Sequence, residues 1–139
     1  MTLASADLSA LRSFASGTTR AVLVTHRKDG GFQTSPMAVV ADDNGDVLTA
    51  TRSKNAKVYN LVRDPRCALC LFDERWPGPW IHVEGTVSIT RLPDAMPLLQ
   101  SYYARRGQDT STDEFRQRML SEDRVLLRIK VQRLYRSNA

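Results

Sequence analysis

The chain has 139 residues, 42% hydrophobic and 25% charged, a size and composition expected of one globular domain, 1–139, with a real core. Lys plus Arg is 20 against 15 Asp plus Glu, and this charge of +5 is scattered without a recognition motif, so no nucleic-acid partner is expected. No run approaches the roughly 18 apolar residues of a membrane span, and "MTLASADLSALRSFA" carries an early acid instead of a secretory pattern, so the expected location is the cytoplasm.

Residues 5–15 place Leu8, Leu11 and Phe14 on one side of a helix, behind Ser5 as a cap. "RAVLVTHRKDGGFQTSPMAVVADDNGDVLTAT" reads as three strands, joined at "KDGG" and "DDNGD", turn signals that make consecutive antiparallel hairpins. The third strand ends at Ala50 or Thr51. Residues 54–63 are predicted helical and stop at "RDPR", because Pro65 disfavours a helical residue before it. "CALCLF" is the fourth strand, "WPGP" interrupts, and "WIHVEGTVSIT" is the fifth. Helices are predicted over 93–106, with Pro93 in the first turn, and over 112–121. "RVLLRIKVQRLYR" closes the chain as a sixth strand. Six strands linked mostly to their sequence neighbours predict a mainly β (α+β) fold. It is a six-stranded antiparallel split β-barrel, closed or nearly so, with short flanking helices.

Few side chains advertise chemistry. The two cysteines, Cys67 and Cys70, stand three apart in a strand and point to opposite faces, so they cannot share a metal; both are expected to be small buried hydrophobes, and no metal site is expected. His26 adjoins a turn and reads as solvated. Trp80, His82 and Glu84 share one strand face, where a polar cross-strand cluster outweighs a catalytic pair. No glycine-rich phosphate loop and no acid/base carboxylate couple occurs, so no catalytic residue is assigned. An enzyme without its own reactive groups borrows one, which means a bound cofactor.

The best candidate for holding it is "TATRSKNAKVYN". A strand turns into a helix among Thr51, Arg52, Ser53, Lys54, Asn55 and Lys57. The helix start offers open N–H groups and partial positive charge, Thr51 and Ser53 add hydroxyls, and Arg52 and Lys57 add charge-assisted hydrogen bonds. These residues suit a phosphate equally well as they suit a plain capped helix in solvent.

The stretch "SKNAKVYNLVRDPRCALCLF" resembles the signature of the pyridoxamine-5′-phosphate-oxidase-like split barrels, K-x-x-N-L-x-x-D-P-R before an apolar strand, at Lys57, Asn60, Leu61, Asp64, Pro65 and Arg66. The likeness runs over nearly the whole chain. The late pattern of Asp113, Phe115, Arg116, Met119 and 123–129 is similar to the short actinobacterial members that use the deazaflavin coenzyme F420. The resemblance implies hydride transfer between that coenzyme and a small organic acceptor. The alternatives are an FMN-binding oxidoreductase of the same fold or a non-catalytic flavin or haem carrier. Vitamin B6 chemistry is not expected, since the substrate-phosphate motifs near both ends are lacking. By the same resemblance Lys57, with Ala50, Thr51, Arg52, Ser53 and Asn60 nearby, holds the cofactor phosphate, and Gln33, Ser35 and Pro36 run along the ring system. Asn55 stands where close relatives often carry arginine, which leaves Arg52 or Lys54 to supply that charge. Trp80 would come from a partner subunit, because in this family the cofactor lies in a groove between the two barrels of a homodimer.

Overall fold

A computed structural model of the protein describes residues 3–16 and 19–137. Its strands are β1 (Thr19–His26), β2 (Phe32–Ala41), β3 (Val47–Arg52), β4 (Arg66–Phe72), β5 (Trp80–Thr90) and β6 (Arg124–Arg136). They close into one antiparallel barrel, as the sequence predicts, and the strand order is β1-β2-β3-β6-β5-β4. Among the described residues four helices flank it: α1 (Ser5–Phe14), α2 (Ala56–Arg63), α3 (Met96–Arg105) and α4 (Asp113–Ser121). None of the described helices is long and apolar enough to cross a membrane.

Strand alternation fills the barrel. In β1, Ala21, Leu23 and Thr25 are buried while Val22 and Val24 face outward. Their inward partners include Leu69, Leu71, Val83, Leu127 and Ile129, all fully buried. A second apolar layer lies outside the barrel. There α3 and α4 press Leu99, Tyr102, Phe115 and Met119 onto the outer side of Val40, Leu48, Ala50 and Leu126. β3 is therefore covered on both faces, and its first five residues are all buried. This explains why "VLTAT" shows no apolar–polar alternation.

Both expected hairpins form. Gly30 and Gly45, with φ of +88° and +84°, supply the left-handed positions of their turns. The helix α2 stops where Asp64 turns extended before Pro65.

Three local expectations are corrected. The N-cap of α1 is Ala4, without a side-chain cap, so Ser5 is already helical. Helix α3 starts at Met96, after turns over 92–95, and its first-turn proline is Pro97, not Pro93. Both prolines can open a helix, but the chain still turns at Pro93, with Met96 N–H donating to Pro93 O at 3.1 Å. Finally, Cys67 is buried and Cys70 is exposed. The same alternation that separates the two thiols puts the second one outside the barrel.

Candidate functional site

Strand pairing assembles the site. Antiparallel register sets Thr51 opposite Val125 and Arg52 opposite Arg124, so the segment leaving α4 meets the segment entering α2. Asp123 takes φ +47°, a left-handed turn that aspartate tolerates. Its carbonyl accepts from Ser53 N–H at 3.0 Å and its carboxylate accepts from the Ser53 hydroxyl.

Thr51 is the centre. Its Oγ1 accepts from Asn55 Nδ2 at 2.7 Å and lies 3.4 Å from Lys57 Nζ. Asn55 occupies the N-cap position of α2, but its side chain turns back to Thr51 and caps nothing. The Lys57 ammonium is pushed below its ordinary pKa by burial and then by the Arg124 charge. Glu122 Oε2 accepts from Arg124 Nε at 2.7 Å and sits 3.8 Å from Arg52 Nη2. The hydrogen bond from Arg124 holds the Glu122 carboxyl below its usual pKa, helped by the charges of Arg124, Arg52 and Arg118.

Two clefts flank this knot. One, of about 340 Å³, has Arg52, Ser53, Lys54 and Asn55 on one side and Glu122 and Asp123 on the other. The second, of about 410 Å³, opens where β2 and β3 pair at Val40–Leu48 and Ala41–Val47 and then diverge. Pro36, Ala38, Ala50 and Thr51 form its floor; α3 and the segment after it bring Tyr102, Tyr103, Arg106 and Gln108, α4 brings Arg118, and Glu122 and Arg124 stand at the lip. Thr49 Oγ1 and Tyr102 OH both donate to Ala38 O, at 2.8 and 2.6 Å, and brace the gap. The Arg106 guanidinium lies over the Tyr102 and Tyr103 rings at 5.6 and 5.5 Å, and its buried Nε has no hydrogen-bond partner.

The structure brings Ala50, Thr51, Arg52, Ser53 and Lys57 together, with Pro36 across the gap from Ala50. It puts Asn60 and Gln33 elsewhere. Asn60 Nδ2 donates to Thr25 Oγ1 and Gln33 Oε1, at 3.1 and 2.8 Å, while its Oδ1 accepts from Arg63. Asn60 thus ties α2 to β1 and β2 and holds Gln33 at a third cleft of about 380 Å³ beside Arg27 and Lys28. Ser35 shares the Gln33 side of β2, whereas Pro36 faces the other way.

Trp80 is remote within the chain. Its neighbour Ile81 pairs with Arg136, and Val125, opposite Thr51, lies about 35 Å back along β6. His82 and Glu84 share its outward face, 3.0 Å apart, with His82 stacked on Tyr135. These two residues do not reach the Thr51 knot of their own chain.

Sequence reasoning missed Glu122, Arg124, Arg106 and Arg118. The first two reach the site only through β3–β6 register. A local signal existed for Arg106, since Tyr102 stands one helical turn before it.

Comparison with known proteins identifies the family and the fold. Residues 8–138 match the family model described as pyridoxamine 5′-phosphate oxidase. Among solved structures, an F420 reductase superposes with TM-score 0.67 at 20% identity, over 89% of this chain and 94% of its own. A conserved hypothetical protein of Mycobacterium tuberculosis does so with TM-score 0.72 at 24% identity, over 98% and 85%. A haem-binding protein of Mycobacterium smegmatis matches with TM-score 0.68 at 11% identity, over 100% of this chain and 56% of its own. At such identities these likenesses establish the barrel, and the family match covers nearly the full length. The chain belongs to the pyridoxamine 5′-phosphate oxidase family.

Proposed function

We propose that the protein is a cytoplasmic oxidoreductase that moves hydride between coenzyme F420 and a small organic acceptor. The observation that carries this reading is the knot at Thr51, where Arg52, Lys57 and Arg124 converge beside a gap between two strands. Such a site fits a ligand with a phosphate at one end and a flat ring at the other. The likeness to an F420 reductase adds support at the level of the fold.

Lys57, Arg52 and the hydroxyl of Thr51 would hold the phosphate, with Ser53 and Ala50 shaping the strand end. The Ser53 hydroxyl already donates to Asp123, so its part is to fix the loop. Pro36 would lie against the ring, and Gln33 and Ser35 would approach from the other side of β2, with Gln33 oriented by Asn60. The bound coenzyme supplies the hydride chemistry. The chain supplies orientation, fixed cations and a gap walled by Tyr102 and Tyr103. Trp80 would act across a homodimer. The outward faces of β4, β5 and the end of β6, with exposed Cys70, Trp80 and Tyr135, give a surface that a symmetric pair would cover.

FMN is the second reading, since it too carries a phosphate and a flat ring and the same cations would serve it. Equilibrium titration of the purified protein with oxidised F420 and with FMN, followed by fluorescence quenching, decides between them. Tighter binding of F420 is expected. Tighter binding of FMN would transfer the role to the flavin, and binding of neither would end the cofactor reading.

A further inference from the structure

We propose that Glu122 sets the charge of the phosphate that the site accepts, favouring a singly charged phosphodiester over a doubly charged phosphomonoester. The inference rests on the cofactor reading above and adds to it a residue that discriminates between the two candidate cofactors.

The position is what gives Glu122 this role. Its carboxylate lines both clefts beside Thr51. It is held by Arg124 at 2.7 Å and faces Arg52 at 3.8 Å, with only 19% of its side chain exposed. Arg52 from β3, Arg118 from α4 and Arg124 from β6 act on the Glu122 carboxylate, Lys54 and Arg106 line the two clefts with it, Lys57 lies beyond Arg124, and neighbouring Asp123 is engaged by Ser53. Arg124 is thus already matched by an internal anion before any ligand arrives. A phosphate with one negative charge still finds Lys57, which is paired with no carboxylate among the described residues. A second negative charge must settle near the Glu122 carboxylate, and gains little from a guanidinium that is already paired. One unit charge several ångströms away, in a dielectric between water and protein interior, is worth on the order of tenfold in affinity.

The chemistry of the two cofactors divides along this line. The F420 phosphate is a diester with a single charge. The FMN phosphate is a monoester whose second proton leaves near pH 6, as for other phosphomonoesters. Because Arg124 and Arg52 pull the Glu122 carboxyl below its usual range, it remains ionised at pH 5, where FMN is down to one phosphate charge.

The test is titration of the unsubstituted chain and of E122Q with F420, FMN and riboflavin at pH 8 and pH 5, with thermal unfolding to verify the fold. At pH 8, E122Q is expected to strengthen FMN binding about tenfold relative to F420, with riboflavin, which has no phosphate, unchanged. At pH 5 the substitution should alter the FMN-to-F420 ratio far less. An unchanged ratio at pH 8, with both cofactors weakened alike, would overturn the inference and make Glu122 a mere support for Arg124. A ratio change equally large at pH 5, or one shared by riboflavin, would overturn it as well. If the unsubstituted chain bound neither cofactor, the cofactor reading would fall first and this inference with it. Should E122Q unfold, Glu122→Ala and Arg124→Gln carry the same comparison: the alanine variant should move the ratio toward FMN, and the Arg124 variant should not.

Discussion

The two clefts beside Thr51 share a wall and differ in charge. The one at the start of α2 sets Arg52 and Lys54 against Glu122 and Asp123, two cations to two carboxylates. The one under α3 and α4 sets Arg106, Arg118 and Arg124 against Glu122 alone. A helix start and a run of basic residues therefore do not by themselves make an anion site, because carboxylates from distant sequence match the two cations that line it. The cation beside the clefts that escapes cancellation is Lys57, half-buried against Thr51 and unpaired with any carboxylate among the described residues. The second cleft keeps its surplus in Arg106 and Arg118, which rest on aromatic rings that attract cations without neutralising them.

The comparison breaks most sharply at Lys57. Lys57→Ala removes a charged donor worth about 1.5–3 kcal/mol, so F420 affinity should fall roughly tenfold to a hundredfold. Equilibrium quenching reads this directly, and an unchanged dissociation constant would move the phosphate away from Lys57. Arg106→Gln tests the other side. It should leave F420 affinity within about threefold if the phosphate sits by Lys57, since a cation farther off acts through screened charge alone. A loss larger than that of Lys57→Ala would mean that the phosphate lies under α3.

Asn60→Ala probes stability instead of charge. It removes bonds to Thr25 and Gln33 and leaves the buried Thr25 hydroxyl without its Asn60 partner. A cost of about 1–3 kcal/mol and a fall of about 5–10 °C in Tm are expected by calorimetry. The smallest effect is on acid stability. Glu122 has a folded pKa below its unfolded value of 4.5, so it binds fewer protons in the folded state. Its stabilisation is present above pH 4.5 and is lost as pH falls through the lower folded value. E122Q should therefore lose stability at pH 7 and flatten the acid limb of the unfolding curve.

Most of the barrel was legible because its signals are local. Turn chemistry at Gly30 and Gly45 marks the hairpins, Pro65 marks the end of α2, and short apolar runs mark β1 and β4. The cluster from Ala50 to Lys57 was legible for the same reason. Glu122 and Arg124 were not, since β3–β6 pairing joins residues about seventy positions apart, as in the Ser53–Asp123 bond. Gln33, Ser35 and Pro36 read as one surface in sequence, yet strand alternation divides them between two sides of β2. Pro93 misled because two prolines four apart each satisfy the rule for a helix start, and only packing chooses between them.

The twin brace on the Ala38 carbonyl has a kinetic consequence. Thr49 and Tyr102 both bond it, and Tyr102 is buried with its neighbour Tyr103 packed edge-on. The distance between the diverging strands is thereby set before any ligand arrives, so no closing step separates encounter from capture. In stopped-flow mixing, the observed rate of cofactor uptake should rise linearly with concentration and show no plateau.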